Sequence, residues 1–183
     1  MLLCDVKLPS GEGRGIMRIA VSACLCGVPC RYDGRSKPCS WVQELGAHHQ
    51  LVPICSEVAG GLRIPHPANE IITSKETLCV MDIEGSDNTE AFVRGAQKTL
   101  DRVQSNNCQL AILKAKSPSC GNGSIYDGTF TGKLVAGYGV TANLLRSNGI
   151  RIMDEIQLKR CFEDHEAWLY GDADCWHETA DAD

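Results

Sequence analysis

The chain lacks the features that would send it to nucleic acid, to a membrane or through a secretion route. Its net charge is −5, and a protein that takes a nucleic-acid polymer as its main partner needs a basic surface to meet the phosphates. That balance leaves room only for a small basic pocket. No apolar run is long enough to cross a bilayer, so no membrane association is expected. The first residues, Met1 to Pro9, have neither a basic start nor a long apolar stretch. No signal peptide is therefore expected, and the expected compartment is the cytoplasm. There is no Gly-Lys-Ser phosphate loop and no dinucleotide-binding glycine fingerprint. A cysteine phosphatase loop is also missing, because the nucleophile position that would serve Arg31 is held by Leu25. Aromatic residues are scarce at 5%, yet 43% hydrophobic and 22% charged residues make an ordinary globular composition.

What the chain has in excess is cysteine, eleven in 183 residues. In a reducing compartment a cysteine-rich chain favours metal or catalytic thiols over a disulfide framework, and an odd count fits that preference. Any one cysteine taken alone is otherwise a small buried hydrophobe. The length suits one well-filled domain. The expected organisation is a flexible lead-in over 1–16, rich in glycine, a single domain over 17–162, and an acidic solvated tail over 163–183.

Within the domain, short apolar runs alternate with helical patterns. Residues 18–23, 51–54, 110–113 and 150–152 read as strands, with a further short one at 79–82. Ser36-Lys37-Pro38 offers a helix start ahead of Trp41, Val42 and Leu45. The clearest helix runs over 87–106, with Asp87 and Glu90 as a capping pair and Phe92, Ala96, Thr99, Leu100 and Val103 on one face. Helices are also expected over 140–147 and 155–162. The segment 64–70 is too rich in proline for regular structure, and irregular loops in compact domains are usually functional. This alternation predicts an α/β fold with a mostly parallel sheet flanked by helices, whose ligand site lies at the carboxyl ends of the strands.

Three of those strands run directly into a cysteine loop. Cys24-Leu25-Cys26-Gly27-Val28-Pro29-Cys30 follows the first, Cys55-Ser56-Glu57 the second, and Ser117-Pro118-Ser119-Cys120-Gly121 the third. A parallel sheet brings Cys24, Cys55 and Cys120 to one edge. Three thiolates suit an iron–sulfur cluster or zinc, both soft-ligand choices. Three ligands on a four-iron cluster would leave one iron open as a Lewis acid, whereas Cys30 as a fourth ligand would make a closed site for electron transfer or structural zinc. Glu57 and Ser117 stand close enough in sequence to these cysteines to share the pocket and do acid–base work. Cys175 with His165 and His177 matches no zinc spacing. A Tyr-Asp-Gly triplet recurs at 32–34 and 126–128, consistent with two turns rather than a repeat.

The motifs resemble a known family. Val21-Ser22-Ala23-Cys24-Leu25 with Cys30-Arg31-Tyr32-Asp33-Gly34, then Cys55-Ser56-Glu57-Val58-Ala59-Gly60-Gly61-Leu62, then Ser117-Pro118-Ser119-Cys120-Gly121 with Tyr126-Asp127-Gly128-Thr129-Phe130, are similar to the 2-thiouracil desulfurase family over residues 17–152. The resemblance implies a [4Fe–4S] enzyme that removes sulfur from a thiolated nucleobase, a small-molecule substrate, converting 2-thiouracil to uracil and sulfide. It implies Cys24, Cys55 and Cys120 as cluster ligands and Glu57 and Ser117 as the catalytic or substrate-orienting pair. Two positions depart from the family pattern. Ser56 stands where proline is usual, and His66 where arginine is usual.

Overall fold

The computed structural model describes residues 16–72 and 77–164. The expected lead-in up to residue 15 and most of the acidic tail, with Cys4, His165, Cys175 and His177, lie outside the described residues. Four strands, β1 (Arg18–Ser22), β2 (Gln50–Ile54), β5 (Leu110–Leu113) and β8 (Arg151–Asp154), form a parallel sheet in the order β2-β1-β5-β8. Between them in the chain come α1 (Ser40–His48), a one-turn α2 (Ser56–Ala59), α3 (Thr89–Ser105) and α4 (Val140–Ser147), with α5 (Glu155–Asp164) after β8. Two short antiparallel pairs complete the described structure, β3 (Asn69–Ile71) with β4 (Val80–Asp82), and β6 (Ser124–Tyr126) with β7 (Leu134–Ala136).

The alternation of side chains along a strand divides the core into two layers. Ile19, Val21, Leu110, Ile112 and Met153 face one way and pack with Val42 and Leu45 of α1 and Leu158 of α5. Ala20, Val52, Ile54, Ala111 and Leu113 face the other way and meet Leu100 and Val103 of α3 and Ala142 and Leu145 of α4. Most of these aliphatic side chains are closed to solvent, each valine, leucine, isoleucine or methionine worth about 1.5–3 kcal/mol of burial. The sheet is therefore covered on both sides, as the apolar character of its strands requires. No helix among the described residues is long and apolar enough to cross a membrane.

Several local expectations are corrected. The first helix begins at Ser40, because the amides of Lys37 and Cys39 bond instead to the carbonyls of Cys24 and Leu25 and tie this stretch to the first cysteine loop. Asp87 and Glu90 do not form a capping box. Asp87 Oδ1 accepts the Thr89 amide at 2.8 Å, and Glu90 pairs with Arg94 at 3.0 Å. The buried face of α3 is the expected one, with Gly95 added to it. The proline-rich segment 64–70 ends in β3, and the glycine-punctuated passage after Cys120 is the β6–β7 hairpin. The last helix has a reciprocal cap. Asp154 Oδ1 accepts the amides of Ile156 and Gln157, while Gln157 Oε1 accepts the Asp154 amide at 2.9 Å.

Candidate metal centre

The strand order decides where the site lies. The chain leaves β1 for β2 on one side and later returns to place β5 on the other, so the crevice at the carboxyl ends opens at a topological switch point. The three cysteine loops leave three neighbouring strands at this end. A cavity of about 960 Å³ lies there. Cys24, Cys30, Cys55, Cys120, Glu57 and Ser117 all line it, so the structure brings every candidate site residue to one place.

Each thiol is set by its element. Cys24 sits in a single 3-10 turn, Ala23–Cys26, that follows β1 without a break. Cys55 is the residue between β2 and α2, and as a thiol it donates to the Cys30 carbonyl at 3.6 Å. Cys120 ends a tight turn after β5 in which Ser117 Oγ accepts the amides of Ser119 at 3.1 Å and Cys120 at 3.2 Å. The Gly121 amide bonds to the Ser117 carbonyl at 2.7 Å, and a side chain at Gly121 would meet that same oxygen at 2.7 Å. Only glycine lets this turn close.

The electrostatics differ among the sulfurs. The thiol of Cys30 donates to Cys24 and to Cys55, and this lowers the pKa of both despite their burial. Lys114 and Arg31 pull Cys24 further down, and the amides of Val58 and Glu57 do the same for Cys55. As the donor, Cys30 is pushed up. Burial pushes Cys120 up to about 12, offset in part by hydrogen bonds from Ser22 and Ser119. The Lys114 ammonium is itself held by Glu155 Oε1 at 2.5 Å, with the Ala115 amide on the other carboxylate oxygen at 2.7 Å. A net-acidic chain thus keeps cations beside its thiolates.

Glu57 is the centre of a second network. Its Oε1 accepts the Ser119 hydroxyl at 2.8 Å, and its Oε2 faces His66 Nε2 at 3.2 Å. Ser117 does not reach Glu57 directly; its hydroxyl lies 3.1 Å from that of Ser119, which stands between them. Contact with Glu57 raises the pKa of His66 above its ordinary value, against the opposing effect of burial. The roles of Ser119 and His66 beside Glu57 are not legible in the cysteine motifs, although Ser119 lies within the third of them and His66 is marked as a departure. The other departure, Ser56, is buried at the start of α2, and its hydroxyl has no hydrogen-bond partner among the described residues.

The donor set can hold a cluster. Cysteine sulfurs from three loops line one cavity, the pKa of two of them lowered, and all-sulfur ligation is the signature of iron–sulfur binding. Among the described residues no three His, Cys, Asp or Glu side chains close around a single-ion position. No disulfide joins any of the nine cysteines among the described residues.

Comparison with known proteins gives the same reading. The sequence profile of the 2-thiouracil desulfurase family matches residues 19–157. The chain belongs to the 2-thiouracil desulfurase family. A relative from Bacillus subtilis (strain 168), the uncharacterized protein YbbK, is 40% identical over 146 residues, 76% of this chain and 97% of that protein. Among solved structures the family likeness extends to the [4Fe–4S]-dependent thiouracil desulfidase TudS, with 44% identity and a TM-score of 0.71. That match covers 79% of this chain and 94% of TudS.

Proposed function

We propose that this chain is a [4Fe–4S]-dependent desulfidase that converts 2-thiouracil to uracil and sulfide in the cytoplasm, with Cys24, Cys55 and Cys120 as the cluster ligands. The observation that carries the reading is the meeting of these three thiols with Glu57 at one cavity. Membership of the family and the likeness to TudS support it. A cluster held by three cysteines supplies an open iron, a Lewis acid able to bind and polarise a thiocarbonyl sulfur.

The residues do the rest. The Glu57 carboxylate takes a proton from the attacking water as the oxygen adds to the thiocarbonyl carbon. Ser119 and His66 hold that carboxylate, and Ser117 holds the turn that carries Cys120. The carbon–sulfur bond breaks as the carbon–oxygen double bond forms, and the two protons of water leave with the sulfur as hydrogen sulfide. The atoms balance with water alone, so no oxidant or reductant takes part.

Anaerobically reconstituted protein is expected to release uracil and sulfide from 2-thiouracil, and alanine at Cys24, Cys55 or Cys120 to remove both iron and turnover. Full turnover by an iron-free preparation overturns the reading. The contact of the Cys30 thiol with both Cys24 and Cys55 favours one alternative, a closed electron-transfer or structural zinc site with Cys30 as fourth ligand. Cys30→Ala separates the two. The desulfidase keeps its iron and turnover, whereas the closed site loses its metal.

A further inference from the structure

The hydrogen-bonded chain around Glu57 has a direction that the donors and acceptors fix. Ser117 Oγ accepts two amides, from Ser119 and Cys120, which occupies both lone pairs of the hydroxyl. Its proton must therefore go to Ser119 Oγ at 3.1 Å. Ser119 in turn has one proton and two acceptors, Glu57 Oε1 at 2.8 Å and Cys120 Sγ at 3.6 Å. The carboxylate is the stronger and closer acceptor. One oxygen of Glu57 is thus fixed by a serine that is itself oriented by the cysteine turn.

The other oxygen is fixed by a cation. His66 Nδ1 lies 2.8 Å from the Pro67 carbonyl, which can only accept, so this nitrogen carries a proton. Its Nε2 faces the Glu57 carboxylate and carries one as well. Asn69 Nδ2 also lies 3.3 Å from His66 Nδ1, but it donates at the shorter distance of 3.0 Å to the Pro67 carbonyl, while its Oδ1 takes a bond from Asn88 at 2.8 Å. The imidazolium is enclosed, with side-chain exposures of 10% for His66 and 15% for Glu57. Glu57 and Ser119 line the cavity, and His66 meets the carboxylate on the oxygen that Ser119 does not bond.

We infer that His66 and Ser119 are positioning residues that clamp the two oxygens of Glu57 from opposite sides, holding the carboxylate in one orientation for proton transfer in the desulfuration proposed above.

The test uses full-length, cluster-loaded protein with 2-thiouracil, comparing His66→Leu, His66→Arg, Ser119→Ala, Glu57→Gln and the double variant Glu57→Gln/His66→Leu. His66→Leu is expected to lower kcat about 100-fold, the cost of a misplaced catalytic group, with KM and iron content little changed. Ser119→Ala, which leaves the cation in place, is expected to lower kcat in the same manner. His66→Arg recovers most of the loss. In the Glu57→Gln background, His66→Leu causes no further loss, since it acts through the carboxylate alone. Equal multiplicative losses in both backgrounds overturn the inference, as does loss of iron in both His66 variants. Wild-type protein that loads iron but releases no sulfide overturns the desulfuration reading and this inference with it. Wild-type turnover with independent effects overturns this inference alone.

Discussion

Replacing Gly95 with alanine tests how closely the loop of Cys55 is held, because two physical effects of the substitution oppose each other. Gly95 lies in the buried face of α3 where α2 crosses it. As a helix-interior glycine it lowers stability, and alanine there is worth about 1 kcal/mol in propensity. Yet an alanine Cβ would sit 2.0 Å from the Ser56 carbonyl oxygen, 2.9 Å from its carbon and 3.0 Å from the Gly60 amide nitrogen, all backbone atoms. The same crossing is tight from the other side, where a Cβ on Gly60 would meet the Ala91 carbonyl oxygen at 2.2 Å. Ordinary contact begins at 3.4 Å, so the two helices must separate by about 1.4 Å at this point. Overpacking of this kind costs about 1–3 kcal/mol, occasionally more. Against backbone atoms this close the upper end applies, so overpacking wins, and the net loss is about 2 kcal/mol, or about 4–8 °C in Tm for a domain of this size. Function should suffer more, since α2 starts at the residue after Cys55 and carries Glu57 in its first turn. A retreat of about 1 Å costs about 100-fold in rate. Urea unfolding, iron content after anaerobic reconstitution, and sulfide release read the three consequences separately. Alanine at this position that raises stability and keeps full iron and turnover refutes the reasoning, because propensity would then have prevailed over a contact that is not tight.

Glu70 is buried, and its Oε2 accepts the amides of Gly128 at 2.9 Å and Phe130 at 3.0 Å, pinning the loop that carries Phe130 to the cavity. Glu70→Gln weakens both charge-assisted bonds and is expected to raise KM for the thiolated base more than it lowers kcat, measured by initial rates. Asp154→Ala removes the cap of α5 and should cost about 1 kcal/mol in urea unfolding, with Asp154→Asn recovering part of it. The raised pKa of His66 fixes the sign of a pH effect. The stabilisation from its pair with Glu57 is fully present below the ordinary value of 6.5 and is lost as pH rises through the higher value in the folded protein. Urea unfolding followed through this window should show that slope in the wild-type chain and a flatter one in His66→Leu.

The parallel sheet was readable because its strands are short apolar runs of β-branched and aliphatic residues, each ended by a loop with cysteine, glycine or proline, and separated by helical patterns. Nothing competes with that reading for Leu110 to Leu113. Of the small strands β4 alone is legible, as the short run at 79–82, whereas β3, β6 and β7 have three residues each, too few to display an alternation of two. The cap of α5 could have been read, as Asp154 and Gln157 have capping-box spacing. The contacts of Glu57 could not. Whether Ser117 or Ser119 meets the carboxylate depends on which hydroxyl the turn folds inward, and here Ser117 is engaged with amides. His66 reaches Glu57 only through the path of the loop between α2 and β3, which no local pattern encodes.

The family motifs and the sheet order make separate contributions to the site. The motifs say which residues matter but not that they meet. The order β2-β1-β5 says that the loops after three strands meet, whatever residues they carry, because neighbouring parallel strands lie about 4.8 Å apart and end at the same edge. Ser22 joins the two levels. It is the last residue of the central strand, its Oγ accepts the Lys114 amide at 2.9 Å at the end of β5, and its proton goes to Cys120. The backbone that registers β1 against β5 is thereby tied to the sulfur that β5 delivers. Cys24 follows Ser22 by two residues in the same turn. The spacing between the Cys24 and Cys120 loops is thus set by the ends of two adjacent strands, whose apolar residues Val21 and Ile112 pair in register and are fully buried.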